Sequence, residues 1–155
     1  MDGLVLPQNL DAEAGAIGGV LLDSRLLEDV IEIVLPEDFY DSRNKEIFAG
    51  IIELYKNGTA IDYLTVTDWL TKHQKLERAG GSAYIAGLIN LTPSATNTRT
   101  YANIVKEKAL LRAAIQVSTD TIQEAYTQSR DASDILERAE SRLLRSVQRM
   151  LGGIS

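Results

Sequence analysis

The sequence predicts an all-α fold, in which a compact head of about six helices precedes a long antiparallel helical hairpin. Three observations support this prediction. Apolar residues recur at intervals of three and four along most of the chain, which is the period of a helix. No stretch alternates apolar and polar residues as a half-buried strand does. The last third, residues 97–151, contains two long amphipathic segments joined by a short polar loop.

The first helix is predicted over residues 11–22, with Asn9 or Asp11 as its N-cap. Its interior is rich in Ala and Gly. Each Gly costs a helix about 1 kcal/mol relative to Ala, but it allows a neighbouring helix to approach closely. A second helix is predicted over residues 25–34, and it ends before Pro36 because proline cannot continue a helix.

The third and fourth helices are predicted from their caps. Residues 42–56 form a helix that Asp41 or Ser42 caps and that the Asn-Gly pair at 57–58 ends. Thr65 and Asp68 resemble a capping box and would open a helix over residues 66–74. A short helical turn is then predicted over residues 76–81.

The remaining helices complete the head and form the hairpin. Ser82 is the predicted cap of a helix over residues 83–91. The long helix spans residues 97–128, and Ser133 is the predicted cap of the returning helix. We therefore divide the chain into a globular head, residues 1–96, and a hairpin, residues 97–151.

An apolar stripe runs along both hairpin helices at steps of three and four, as in a coiled coil, with interruptions at Lys108 and Ser118. Two helices alone have too little core to bury such a stripe. We therefore expect a second copy of the chain to cover it and form a homodimer. The predicted dimer interface consists of Ile104, Leu111, Ile115, Ile122, Leu136, Leu143 and Val147.

An aromatic residue, Tyr126, falls near the tip of the predicted hairpin, far from the core of the head. It forms a tip patch with Ile122, Ile135 and Leu136. Its side chain is either tucked into the turn or offered to a partner, and the sequence does not choose between these alternatives.

The charge is unevenly distributed. Residues 1–96 carry 7 Lys and Arg against 15 Asp and Glu, whereas residues 97–155 carry 9 against 7. Because binding to phosphates needs clustered basic residues, DNA is expected to bind at most weakly. Four arginines recur at helical spacing in the hairpin and form either a phosphate-facing stripe or a solvated face, of which we favour the second. They are Arg138, Arg142, Arg145 and Arg149.

The sequence contains no recognisable catalytic, cofactor-binding or metal-binding motif. The glycine pairs at 18–19 and 80–81 are not followed by Lys-Ser or Lys-Thr, so neither forms a phosphate-binding loop. His73 is the one histidine, and there is no cysteine. The carboxylates occupy cap and exposed-face positions. The chain also lacks a signal peptide and an apolar run of about 18 residues, so we expect a cytoplasmic protein with no membrane partner.

A series of short motifs follows in order along the chain. They are PQNLDAE at 7–13, GGVLLD at 18–23, PEDFY at 36–40 with IF at 47–48, DYLTVT at 62–67 with Leu70, GGSAYI at 80–85 and YANIVKEKALLR at 101–112. This series, covering about residues 5–145, resembles the start of the DnaB-type replicative DNA helicases. The ATPase domain of that family, with its phosphate loop, is absent from this sequence. We therefore expect an isolated N-terminal domain, either native or engineered, that is not itself an enzyme.

The resemblance implies a role in assembly during DNA replication. In this family the hairpins pair between subunits, and three pairs form a collar on the hexameric ring of an ATP-dependent helicase. The collar receives the C-terminal helicase-binding domain of primase and bears on control by loader proteins. ATP and Mg would bind only in the missing ATPase domain, so no cofactor is expected in this chain. The alternatives are a collar that contacts and guides single-stranded DNA, or a loader-binding module.

The resemblance also implies docking residues for primase. In the family these contacts lie at the start of the first helix, at the tyrosine of the GGxxY motif and along the hairpin. Transferred to this sequence, they are Asp11, Tyr84, Ile115, Ile122 and Tyr126.

Overall fold

The computed structural model describes residues 3–152 and, within this range, contains seven α-helices and no strand. The all-α prediction is therefore confirmed for the described part of the chain. Short 3-10 turns at Ser24–Leu26 and Pro36–Asp38 precede and follow α2. The helices are α1 (Leu10–Leu22), α2 (Leu27–Ile33), α3 (Ser42–Lys56), α4 (Tyr63–Lys72), α5 (Ser82–Asn90), α6 (Thr98–Thr127) and α7 (Ala132–Met150).

The described residues form two units, a head of residues 8–108 and a hairpin unit of residues 3–7 with 109–152. Helix α6 contributes to both. The division lies later than the boundary at residue 96 that the sequence indicated, because Ala102 and Val105 at the start of α6 are buried in the core of the head. No described helix is long and apolar enough to cross a membrane.

Helix α1 is the centre of the head, and every residue from Ala12 to Leu21 is buried. Its small side chains permit the close packing that the sequence predicted. A Cβ added at Gly18 would collide with Thr92 and would lie 2.6 Å from the carbonyl oxygen of Leu88 at the end of α5. Glycine is therefore required here by the distance between the two helices rather than by backbone conformation.

Two predicted caps are confirmed. The side chain of Asn9 accepts a hydrogen bond from the Ala12 amide at 2.9 Å, so Asn9 rather than Asp11 begins α1. The side chain of Asp41 accepts from the Arg43 amide at 2.9 Å and begins α3. Helix α3 also ends as predicted, at Lys56 with Asn57 as its C-cap, and Gly58 adopts a positive φ of 71°.

The capping box at the start of α4 was predicted in the wrong register. Asp62 is the N-cap, and its side chain accepts from the Thr65 amide while the Thr65 hydroxyl accepts from the Asp62 amide, each at 2.9 Å. Thr65 therefore occupies the third position of the helix instead of its cap. Asp68 lies farther along α4 and forms an exposed ion pair with Lys72.

The short helical turn is present, because residues 76–80 form hydrogen-bonded turns in which the Ala79 amide donates to the Lys75 carbonyl at 3.0 Å. Two further predictions about helix starts were wrong. Ser82 is the first residue of α5, whose N-cap is Gly81 at a φ of 86°. Asp131 rather than Ser133 is the N-cap of α7, and neither α5 nor α7 has a side-chain capping bond.

Candidate interaction surfaces

The exposed apolar face of the hairpin unit is the first candidate site. Six of the seven residues predicted for the dimer interface lie in this unit, and they are 42% to 67% exposed. Met150 and Leu144 extend the exposed apolar surface along α7. The hairpin face is defined as Leu111, Ile115, Ile122, Leu136, Leu143 and Val147.

The seventh predicted interface residue, Ile104, lies in the head. Its side chain packs partly against the core of the head. It also lines a shallow groove of about 280 Å³, together with Asn9, Asp11 and Tyr101. Asp11 itself is exposed in the first turn of α1.

The inner side of the hairpin, between α6 and α7, combines apolar and charged residues. Val117 and Ile135 are its buried apolar residues. Charged residues fill much of the remainder. The carboxylate oxygen Oε1 of Glu124 lies 3.5 Å from Nη2 of Arg142 and 3.7 Å from Nη2 of Arg138. The two helices of the hairpin are therefore held together by charge as well as by apolar packing.

The sequence suggested that the arginines of α7 form a solvated face. In the structure, however, Arg138 and Arg142 are partly buried. The Arg142 side chain is 24% exposed, and its Nη1 also lies 3.8 Å from Oδ2 of Asp120. Some polar atoms in this cluster are buried without a hydrogen-bond partner, including Glu124 Oε2 and Arg138 Nε. Arg138 and Arg142 are thus directed to carboxylates of their own chain, which weakens the interpretation of a phosphate-facing stripe.

The tip of the hairpin presents Tyr126 to solvent. Its side chain is 85% exposed, so the tyrosine is not tucked into the turn. A cleft of about 650 Å³ lies at the tip, lined by Ala125, residues 128–132 and the side chains of Ile135 and Leu136. Ile135 is buried, so the exposed part of the tip patch consists of Ile122, Tyr126 and Leu136.

A hydrogen-bonded network in the head connects α1, α3 and α5. Glu13 is 1% exposed. Its carboxylate accepts from the amides of Tyr40 (2.7 Å) and Asp41 (3.2 Å) and from the Asn44 side-chain amide (2.9 Å). The Tyr84 hydroxyl in turn donates to Oδ1 of Asn44 at 2.7 Å. The network therefore runs from a buried carboxylate to a half-buried tyrosine.

Charged neighbours surround the outer end of this network. The Arg43 guanidinium lies 3.9 Å from the centroid of the Tyr84 ring and forms an ion pair with Asp41. The hydrogen bond from Arg43 lowers the pKa of the Asp41 carboxyl, against the opposing effect of partial burial. Burial raises the pKa of the Tyr84 hydroxyl, because the phenolate would lose hydration.

Sequence reasoning missed the burial of Glu13. It placed the carboxylates of the chain at cap and exposed-face positions. The surrounding Ala and Gly residues were the available signal. A helix of such small residues is covered by its neighbours on every side, so a carboxylate within it is also covered.

Comparison with known proteins agrees with this fold. Residues 5–107 match the family model described as DnaB-like helicase N terminal domain. The chain belongs to the DnaB-like helicase N-terminal domain family. The resemblance inferred from the ordered motifs is therefore confirmed.

Relatives of this DnaB-like domain are replicative helicases. The chain is 40% identical over 137 residues to replicative DNA helicase DnaB of Leifsonia xyli subsp. xyli, covering 88% of this chain and 30% of that protein. It is 35% identical over 147 residues to replicative DNA helicase DnaB of Geobacillus stearothermophilus, covering 95% and 32%. The chain thus spans about a third of the length of these relatives.

Two solved structures share the fold. The crystal structure of the N-terminal domain of DnaB helicase from Mycobacterium tuberculosis matches with a TM-score of 0.86 and 35% identity, covering 91% of this chain and 99% of that chain. The structure of a DnaB-like replicative helicase and its interactions with primase matches with a TM-score of 0.72 and 22% identity, covering 89% and 31%. At that lower identity, the second match supports the fold alone.

Proposed function

We propose that this DnaB-like domain is the assembly and docking domain of a replicative DNA helicase. It pairs with a second copy through the hairpin face, three such pairs form the collar of a hexamer, and primase docks on the domain. ATP hydrolysis and unwinding would belong to a separate ATPase domain that binds ATP and Mg. Family membership and the replicative helicases among the relatives support this assignment.

The observation that carries the pairing is the exposure of the hairpin face. Six large aliphatic side chains, each about half exposed, lie on the same two helices. Covering them would contribute on the order of 5–10 kcal/mol before the costs of association. A twofold axis places one such face against its own copy, so an isologous dimer covers both faces at once.

Primase docking is proposed at two separate sets of residues. In the head, Asp11 is exposed and Tyr84 is half-buried. In the hairpin unit, Ile115, Ile122 and Tyr126 are exposed. A helicase that shares this fold has been described with its interactions with primase, which makes primase the partner to test.

Guidance of single-stranded DNA by the arginines of α7 is less well supported. Arg138 and Arg142 face Glu124, and Arg142 also faces Asp120. A phosphate would have to compete with these carboxylates. Tight binding of single-stranded DNA with a steep salt dependence would favour this alternative over docking.

Self-association tests the pairing step. We expect the wild-type chain to dimerise with concentration and Leu143→Asp to remain monomeric, because pairing would bury an unpaired carboxylate. Sedimentation of both proteins over one dilution series measures this. Ser141→Asp is the matched control, since Ser141 is exposed on the same helix outside the hairpin face. A wild-type chain that stays monomeric at high concentration would count against the proposal.

Primase docking is tested separately by titrating the C-terminal helicase-binding domain of primase into the wild-type chain. We expect saturable binding that Tyr84→Ala weakens. Binding that persists unchanged in Tyr84→Ala and Tyr126→Ala would exclude these two residues as contacts.

A further inference from the structure

The buried carboxylate of Glu13 has no evident role in packing. Its neighbours on α1 are small and apolar, and no Lys or Arg side chain pairs with it among residues 3–152. Burying a carboxylate is costly unless hydrogen bonds replace its hydration. Here three N–H donors do so, from the backbone of residues 40–41 and from Asn44.

Glu13 determines the orientation of the Asn44 amide. An ionised carboxylate only accepts hydrogen bonds, so the Asn44 group that faces it must be the donor, Nδ2. The other end of the amide, Oδ1, is then directed to the Tyr84 hydroxyl at 2.7 Å. Both ends of the Asn44 side-chain amide are hydrogen-bonded, so Asn44 connects Glu13 on α1 to Tyr84 on α5.

The Tyr84 ring is also confined on its sides. The Arg43 guanidinium lies 3.9 Å from the ring centroid. On the Gly80 side, a Cβ at position 80 would lie 2.7 Å from the ring, so the turn leaves no spare space there. The hydroxyl bond to Asn44 then fixes how far the ring projects. A side chain fixed in this way can bind without losing rotamer freedom.

We infer that Glu13 is a positioning residue that fixes Tyr84, through Asn44, in the orientation in which it contacts primase. This inference rests on the proposed docking function and extends it to a residue that no partner reaches. Glu13→Gln is the direct test, because the glutamine side chain would set an NH₂ group against one of the three donors.

The first readout is the NMR signal of the Tyr84 ring in the full chain with labelled tyrosine, assigned by its loss in Tyr84→Phe. We expect Glu13→Gln and Asn44→Ala to shift or broaden this signal. Gly87→Ala is the matched control. It adds a methyl group to α5, the helix of Tyr84, at a position where no atom lies within 4 Å, so the Tyr84 signal should keep its position.

The second readout is affinity for the primase C-terminal domain at a temperature where every variant is folded. We expect Glu13→Gln to weaken binding on the order of tenfold, and to weaken it no further in a Tyr84→Phe background, because both changes break the same connection. Asn44→Ala keeps both backbone bonds of Glu13 and gives the same test if Glu13→Gln does not fold.

The outcomes separate the two proposals. An unshifted Tyr84 signal in both Glu13→Gln and Asn44→Ala overturns the positioning role, as does wild-type affinity in these variants. A Tyr84 signal that shifts in Glu13→Gln and Asn44→Ala, together with a wild-type chain that does not bind primase, overturns the docking proposal and leaves the positioning of Tyr84 intact.

Discussion

The guanidinium of Arg142 on α7 lies 3.5 Å from the carboxylate of Glu124 on α6, so an ion pair crosses the inner side of the hairpin. Both side chains are largely covered, with exposed fractions of 24% and 18%. This pair is therefore unlike the exposed ion pairs elsewhere in the chain, and its removal should have a measurable cost.

We expect Glu124→Gln to lower the free energy of unfolding by roughly 1–3 kcal/mol, because it leaves Arg138 and Arg142 partly buried beside a neutral group. Denaturant unfolding followed by circular dichroism measures the change. Lys72→Met is the control. Its ion pair with Asp68 is exposed, so the expected change is within about 0.5 kcal/mol. Equal effects of the two variants would contradict a special role for the crossed pair.

Two glycine substitutions should have opposite signs. Gly18→Ala is expected to destabilise the head by about 1–3 kcal/mol, because the new methyl group would overlap Thr92 and the Leu88 carbonyl. Gly87→Ala on α5 meets no atom within 4 Å and should stabilise by about 0.5–1 kcal/mol through helix propensity. Thermal unfolding of both variants checks the prediction, and a neutral Gly18→Ala would show that α1 can shift.

The cap of α4 can be distinguished from the capping box predicted in the other register. Asp62→Ala should cost about 1 kcal/mol of stability, because the Thr65 amide loses its acceptor. Asp68→Ala should cost within about 0.5 kcal/mol, because it removes an exposed pair alone. Chemical denaturation of both variants decides between the two registers. A larger loss of stability in Asp68→Ala than in Asp62→Ala would favour the Thr65–Asp68 capping box predicted from the sequence.

Tyr84 should ionise at a higher pH than an exposed tyrosine. In the folded chain, burial raises the pKa of the Tyr84 hydroxyl above the ordinary tyrosine value of about 10. The folded state therefore keeps this proton longer than the unfolded state. The stabilising effect of Tyr84 is fully present below pH 10 and is lost as pH rises through its folded pKa. The difference in tyrosinate absorbance between wild type and Tyr84→Phe measures this titration. A difference titrating at or below pH 10 would refute it.

Much of the fold could be predicted because the helical period and several caps are local signals. Asn9 and Asp41 were identified as caps because their acceptors lie within three residues of the amides they bind. The error at α4 has the same origin. Thr65 satisfies the pattern of a cap, but Asp62 lies three residues earlier and competes for the same role.

The candidate surfaces were predictable only where exposure follows from periodicity. The hairpin face was predicted because its members recur at steps of three and four. The Glu13–Asn44–Tyr84 network could not be predicted from periodicity, because its hydrogen bonds join residues 31 and 40 positions apart in sequence. The pairing of Arg142 with Glu124 likewise depends on how the two hairpin helices align, which no single helix encodes.

Inside the hairpin, ion pairs accompany the buried side chains of Val117 and Ile135, whereas the six aliphatic side chains of the hairpin face are exposed. Added salt therefore acts on it in two opposite directions. Screening weakens the ion pairs between α6 and α7 of one chain, while an excluded salt such as sulfate would strengthen the burial of the hairpin face in the proposed dimer. For a chain that pairs as proposed, ionic conditions would set the balance between opening one hairpin and pairing two.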